Sequence, residues 1–246
     1  TLKTYKENPI CTITGFITPE QLTELILQAE SWPSSASLQW IWGEQIKAYI
    51  LIEIEDKEVN QIINKLINQL PFREKAEVSL VNGLKDIPKF DLGIKKEINI
   101  ERTHSEDIGL LGKGWGSKTN SIIKDLKSLI LKRPNKHCYI AAQQLGGITS
   151  SYLHPESSFV HRDSVWKPWV SGSWPAGEMK IREESIYWME EVWGLLQRIC
   201  PGVHLAQMHQ HLNWHEEEIK RAFLDSLPEL QNLKSIYDPQ GLLPPL

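Results

Sequence analysis

Cysteine is scarce: Cys11, Cys138 and Cys200 are the only three in 246 residues, an odd number spread widely along the chain. That spacing speaks against a disulfide framework and a cysteine-based zinc site, and leaves buried thiols as the expectation. Long apolar runs are missing too, and no stretch approaches the roughly twenty residues a membrane helix requires. Basic clustering is equally absent. No run of Lys and Arg exceeds two, the net charge is −4 and the pI is near 6.1, so the electrostatic footprint of a nucleic-acid partner is lacking. The chain begins at Thr1 without a signal-like segment, which fits a processed protein or a piece of a longer one.

What is present belongs to a globular domain. Hydrophobic residues make up 41% and charged residues 24%, enough to build a substantial core. Ten tryptophans are unusual, and six of them fall between Trp166 and Trp214. Flat amphipathic side chains in that density suit either a ligand-facing surface or a sheet packed against helices.

The elements mix without the steady strand-helix alternation of a doubly wound fold. Ile10 to Phe16 alternates as a strand, and Thr18-Pro19-Glu20-Gln21 then supplies an N-cap, a first-turn proline and a capping-box glutamine for a helix carrying Leu22, Leu25, Ile26 and Ala29. Two strands around Gly43 to Lys47 follow, then a helix with Val59, Ile62, Ile63, Leu66 and Ile67 on one face, then the strand AEVSLV. Asn82 to Glu106 reads mostly as loop, with Pro88 and Gly93 interrupting it. Beyond it come a helix over Ser121 to Leu131, the strand HCYIAAQQLGG, a strand-like run SSFVHRDSVWKPWVSGSW, a long amphipathic helix closed by Pro201-Gly202, and a final helical region from Glu216. The pattern predicts an α+β fold, a large antiparallel sheet with helices packed on one face.

Three features carry possible chemistry. The first is GKGWGSKT, Gly112 to Thr119, which leads into a helix and matches a phosphate-binding loop except that Ser117 replaces the second glycine. A Cβ there obstructs the backbone wrap around phosphate, and Trp115 crowds the loop, so a plain turn is the simpler reading. The second is His204, His209, His211 and His215 within twelve residues. On a strand His209 and His211 share a face, so a metal site is conceivable, but no carboxylate or cysteine completes an evident set and hydrogen-bonded histidines near a pocket are the plainer alternative. The third is Phe159-Val160-His161-Arg162 with Trp166, Trp169 and Trp174 beyond. On an alternating strand His161 and Arg162 point to opposite faces; either His161 orients a flat ligand beside the tryptophans, or Arg and Trp simply pack as a cation-π pair.

Taken in order, LGG (Leu145 to Gly147), SSFVHRDSVW (Ser157 to Trp166), SGSW (Ser171 to Trp174) and LKSIYDPQGLL (Leu233 to Leu243) resemble the C-terminal half of FAD-linked oxidases of the vanillyl-alcohol-oxidase type, within them the berberine-bridge-enzyme-like group. The resemblance covers residues 105 to 246, with 1 to 104 as the first half of the same domain. It implies a substrate-binding domain whose antiparallel sheet lies over the ring of FAD held by a flavin-binding domain, in cis or on a separate chain. Members of the family oxidise alcohols, sugars or alkaloid-like small molecules by hydride transfer to flavin N5, with O₂ as acceptor. Carried onto this chain, the resemblance places His161, Arg162, Trp166 and Trp169 at the substrate and His161 and Gln210 at the cofactor. In the window Gln207 to Asn213 the family's Tyr-x-Asn is replaced, so His209 and His211 become the expected catalytic groups, with no metal. The segment that holds flavin covalently in the family is not found here, which leaves open a non-catalytic small-molecule-binding protein. A histidine-based metalloenzyme is the remaining alternative.

Overall fold

The alternation of Ile10–Ile17 (β1) sends Ile13 wholly into the core while Phe16 stays half exposed. Thr18 then starts helix α1 (Pro19–Ala29) with a complete capping box: the Gln21 amide N–H donates to Thr18 Oγ1 at 3.2 Å and the Thr18 N–H donates to Gln21 Oε1 at 2.9 Å. Capping of this kind contributes on the order of 1 kcal/mol. This computed structural model describes residues 8–54, 59–88, 103–146 and 159–243.

The hairpin β2 (Ala36–Trp42) and β3 (Ile46–Glu53) follows, then α2 (Val59–Gln69), β4 (Glu77–Val81), β5 (Thr103–Leu111), α3 (Thr119–Ile130), β6 (Tyr139–Gln144), β7 (Trp166–Pro175), α4 (Met179–Leu196), the short β8 (Gly202–Val203), α5 (His215–Phe223) and α6 (Leu227–Tyr237). The eight strands form one sheet in the order β4-β1-β3-β2-β6-β7-β5-β8, and every neighbouring pair is antiparallel. No helix among the described residues is long and apolar enough to cross a membrane.

Period-two geometry sorts the side chains onto two faces. One face carries Ile13, Leu38, Trp40, Ile50, Ile140, Val170 and Ile108, all without solvent exposure. Helices α1, α3 and α4 cover this face, packed on one another and, through α4, on β7. Removing each of those isoleucines from water is worth about 1.5–3 kcal/mol, so the covered face fixes the register of every strand; a slip by one residue would turn the set outward. Among the described residues no α-helix covers the other face, and its side chains follow from the register. One row runs Thr14, Tyr49, Gln39, Gln143 and Lys167; the next runs Phe16, Lys47, Ile41, Ala141, Trp169 and Gly109; the third brings together Tyr139, Ser171 and Asp107.

Two expectations from the sequence change here. The segment before the opening loop is not loop throughout, because Thr103–Leu111 forms β5 between β7 and β8. His161 and Arg162 do not lie on a strand: residues 160–163 form a turn closed by the Ser164 N–H donating to the His161 carbonyl, and β7 starts only at Trp166. Gly147, Ser157 and Ser158, which contribute to the motifs quoted above, lie outside the described residues.

Candidate functional site

The open face over β5, β6 and β7 gathers an aromatic ring and several ionisable groups. Tyr139 of β6 stands opposite Ser171 of β7, and Ser171 stands opposite Asp107 of β5. Trp169 lies two positions along β7 and Lys167 two further, on the same side. The Lys167 ammonium sits 6.0 Å from the centre of the Trp169 ring. Gly109 sits opposite Trp169, and a Cβ there would collide with the Gln207 side chain and crowd His204. The turn Leu205–Gln207 comes down onto β5 at this point, and a side chain at position 109 would have to displace Gln207.

The electrostatics of this face are those of a partly dry polar surface. Burial pushes the Tyr139 phenol up, the Asp107 carboxylate adds to that rise, and hydrogen bonds with Ser171 and Trp169 oppose it. Burial pulls the Lys167 ammonium down from the usual lysine range, while Asp107 acts in the opposite sense. His204 is also lowered, first by burial and then by the positive charge of Lys167. Three buried polar atoms here have no hydrogen-bond partner among the described residues: Asp107 Oδ1, His204 Nδ1 and Gln207 Oε1. Such atoms cost free energy unless something satisfies them, so their grouping marks a place that a polar ligand or water completes.

His209 and His211, expected over the reaction face, lie elsewhere. Glu106 follows the register of Ile108 and Leu110 toward the helices, and it holds His211 Nε2 at 2.8 Å and His209 Nε2 at 3.4 Å. His209 is buried, its ring edge-on to Trp214, which in turn meets Trp193 of α4. The Glu218 carboxylate of α5, fully buried, lies 2.7 Å from His209 Nδ1 and accepts the His209 backbone N–H at 2.8 Å. Both ring nitrogens of His209 therefore face carboxylates, and the cluster ties α5 to the edge of β5. Among the described residues no group of three or more His, Cys, Asp or Glu side chains is arranged to hold a metal ion.

The remaining expected residues divide. Trp169 is on the open face. Trp166 faces the helices, with no exposure, in contact with Trp115 and linked through it to Trp40. It cannot line a pocket on the open side, because β7 puts residues 166 and 169 on opposite faces. His161 is buried and spends Nε2 on the Arg221 carbonyl at 2.8 Å. Arg162 lies over the Phe159 ring, 5.5 Å from its centre. Both line a cavity of about 170 Å³ that Lys167 and His204 also line, so the segment does reach the edge of the open face. Gln210 is exposed in the turn after His209. A cavity of about 760 Å³ is an open groove between the start of α1, the β2–β3 turn and residues 70–75, and none of Asp107, Tyr139, Lys167, Trp169 or His204 lines it.

The loop Gly112 to Thr119 does cradle an anion, but one supplied by the chain itself. The carboxylate of Glu30, at the end of α1, accepts the backbone N–H groups of Trp115 and Gly116 and the Trp166 indole N–H at 2.9 Å. Gly116 adopts φ 51°, the left-handed conformation glycine tolerates best. A phosphate has no room where Glu30 already sits.

No family model matches the chain, and no curated protein sequence does. Solved structures do. BBE-like 1 of Physcomitrella patens aligns with a TM-score of 0.71 at 10% identity, over 97% of this chain and 53% of its own. Berberine bridge enzyme from Eschscholzia californica gives 0.64 at 16%, over 94% and 53%. Aclacinomycin oxidoreductase gives 0.68 at 17%, over 97% and 55%. The chain thus spans just over half the length of each protein it matches. At these identities the likeness is one of architecture: the chain has the fold of the corresponding half of berberine-bridge-type oxidoreductases.

Proposed function

We propose that this chain is the substrate-binding domain of an FAD-dependent oxidoreductase, and that the open face of β5, β6 and β7 is its reaction face. The observation that carries the reading is the group of unpartnered buried polar atoms, Asp107 Oδ1, His204 Nδ1 and Gln207 Oε1, beside Trp169 and Tyr139 on the uncovered face of a fold shared with oxidoreductases. FAD, held by a flavin-binding domain, would supply the hydride acceptor, with O₂ as the final oxidant. The residues of this chain suited to lie against a flat ring are Gln143 and Gln39, paired across β6 and β2, with Trp169 one row over on β7 opposite Ala141.

The substrate is a small molecule with an oxidisable hydroxyl. Asp107 Oδ1, an acceptor without a donor, takes the hydroxyl proton as the carbon–hydrogen bond gives up its hydride and the carbon–oxygen double bond forms. Tyr139, kept protonated by burial, donates a hydrogen bond to the substrate oxygen. Trp169 excludes water and orients the substrate. His209 and His211 take no part in the chemistry in this account; they pair with Glu106 and tie the segment before α5 to β5.

The test is Asp107→Asn in the flavin-loaded protein. Loss of about 100-fold or more in the rate of flavin reduction, at unchanged flavin content, supports the assignment; an unchanged rate removes Asp107 from the chemistry. A non-catalytic binding protein would hold a small molecule on this face and show no flavin reduction in any variant.

A further inference from the structure

Resting on the reaction face assigned above, the structure assigns a compact-anion subsite to the cavity at its edge: the substrate is an organic anion, a carboxylate or a phosphate ester, whose charged group sits between Lys167 and His204 while its hydroxyl reaches Asp107.

The cavity holds about 170 Å³ and is lined by Leu111, Leu145, Phe159, His161, Arg162, Ser164, Lys167 and His204. At roughly 30 Å³ per water it admits five or six waters, or one charged head group; pockets for whole drug-sized ligands run to roughly 300 Å³ and above. Among the described residues that line it, His161, Arg162, Lys167 and His204 are basic or imidazole. Two described acids lie close by. Asp163 is exposed and pairs with Lys113 at 3.0 Å. Asp107 influences Lys167 from the open face but does not line the cavity.

The donors are suited to an anion. His204 Nδ1 is buried without a partner. Ser164 is buried and adds a hydroxyl. Burial and then the Lys167 charge disfavour the protonated form of His204; a bound anion would favour it. Lys167 belongs at once to this cavity and to the row that leads through Trp169, so a head group here sets the distance from anion to reacting carbon.

Two measurements separate this proposal from the reading it rests on. The first titrates inorganic phosphate, and separately acetate, into the isotopically labelled protein and follows the His204 ring signals by NMR. The subsite predicts saturable shifts with one of the two probes that weaken at least 10-fold in affinity in Lys167→Met, at constant ionic strength; equal, unsaturable drift in both proteins, the mark of an adventitious ion only, overturns it. Acetate alone binding assigns a carboxylate, and phosphate alone a phosphate ester. The second compares flavin reduction by a hydroxy acid and by its neutral amide. A preference for the acid of 10-fold or more that collapses in Lys167→Met supports the subsite. Turnover with no preference for the acid overturns the subsite and leaves the oxidoreductase reading standing, whereas saturable anion binding without flavin reduction does the reverse.

Discussion

The carboxylate of Glu30 and the indole of Trp166 meet at 2.9 Å across 136 residues of chain, and the same carboxylate closes the glycine-rich loop through the N–H groups of Trp115 and Gly116. A loop that reads in sequence as a nucleotide cradle is thus a joint between α1, the start of α3 and β7. Glu30→Ala leaves three donors without their acceptor, each worth about 1–3 kcal/mol if it stays dry. The expected loss is about 3 kcal/mol of unfolding free energy in a urea titration, with Glu30→Gln intermediate. Millimolar ATP should leave the midpoint of the wild-type protein unchanged, and an upward shift would reopen the nucleotide reading.

The His209 bracket makes a different prediction. Glu218 is fully buried and depends on His209 for its ring and backbone donors. Removing one member of a buried pair costs about 3–5 kcal/mol, because the other is left uncompensated. His209→Ala should lose at least about 3 kcal/mol in stability while the folded fraction of the flavin-loaded protein keeps its rate of flavin reduction. A rate that collapses in a fully folded variant would return His209 to the chemistry.

Alkaline pH should expose the third buried thiol. Burial pushes Cys200 up from 9.0 to about 12, with smaller opposing help from Trp115. Between those two values the unfolded chain loses the thiol proton and the folded chain keeps it, so the folded state binds more protons and stability falls as pH rises. Three pH units correspond to about 4 kcal/mol at most, and the effect is absent below pH about 8. Chemical denaturation of Cys200→Ala at pH 8 and pH 11 should show a shallower decline than the wild type, whatever its stability at pH 8. An identical decline in both proteins would place the alkaline sensitivity in other groups, Tyr139 and Cys11 among them, whose pKa values are also raised.

How much of this was legible in the sequence depends on whether a signal is local. The β1–α1 unit was, because the alternation of Ile10 to Phe16 and the cap at Thr18-Pro19-Gln21 are complete within a dozen residues. The antiparallel sheet with helices on one face followed from the same kind of pattern. β5 escaped because Thr103 to Asp107 is polar on both sides, and the strand is recognisable only once β7 pairs with it. The reaction face escaped for the same reason: Asp107, Tyr139 and Lys167 are spread over sixty residues and become neighbours only through the pairing of three strands. Of the tryptophans singled out, Trp169 points to the open face and Trp166 to the core, and alternation along β7 separates the two once its register is known. The histidine cluster drew attention because its members are close in sequence, but the carboxylates that occupy them, Glu106 and Glu218, come from a strand and a helix outside the cluster's core.

A surface prediction follows from the cation-aromatic row. Lys47 lies 4.9 Å from the Tyr49 ring and 5.8 Å from the Phe16 ring on the open face. Contacts of this kind at an accessible site are worth about 0.5–1 kcal/mol. Lys47→Met should therefore change unfolding free energy by no more than about 1 kcal/mol, whereas Trp169→Ala should lower substrate affinity in the flavin-loaded protein at least 10-fold; a larger stability loss in Lys47→Met would make the row structural instead.

The central claim is that the uncovered face of β5, β6 and β7 is where oxidation occurs. Anaerobic mixing of the flavin-loaded protein with a panel of hydroxyl-bearing small molecules, followed at the long-wavelength flavin absorbance band, tests it most directly. The account predicts bleaching by at least one substrate in the wild type, slowed at least 100-fold in Asp107→Asn at equal flavin content. Bleaching at the same rate in both proteins, or a protein that takes up no flavin in the presence of its flavin-binding domain, would contradict it.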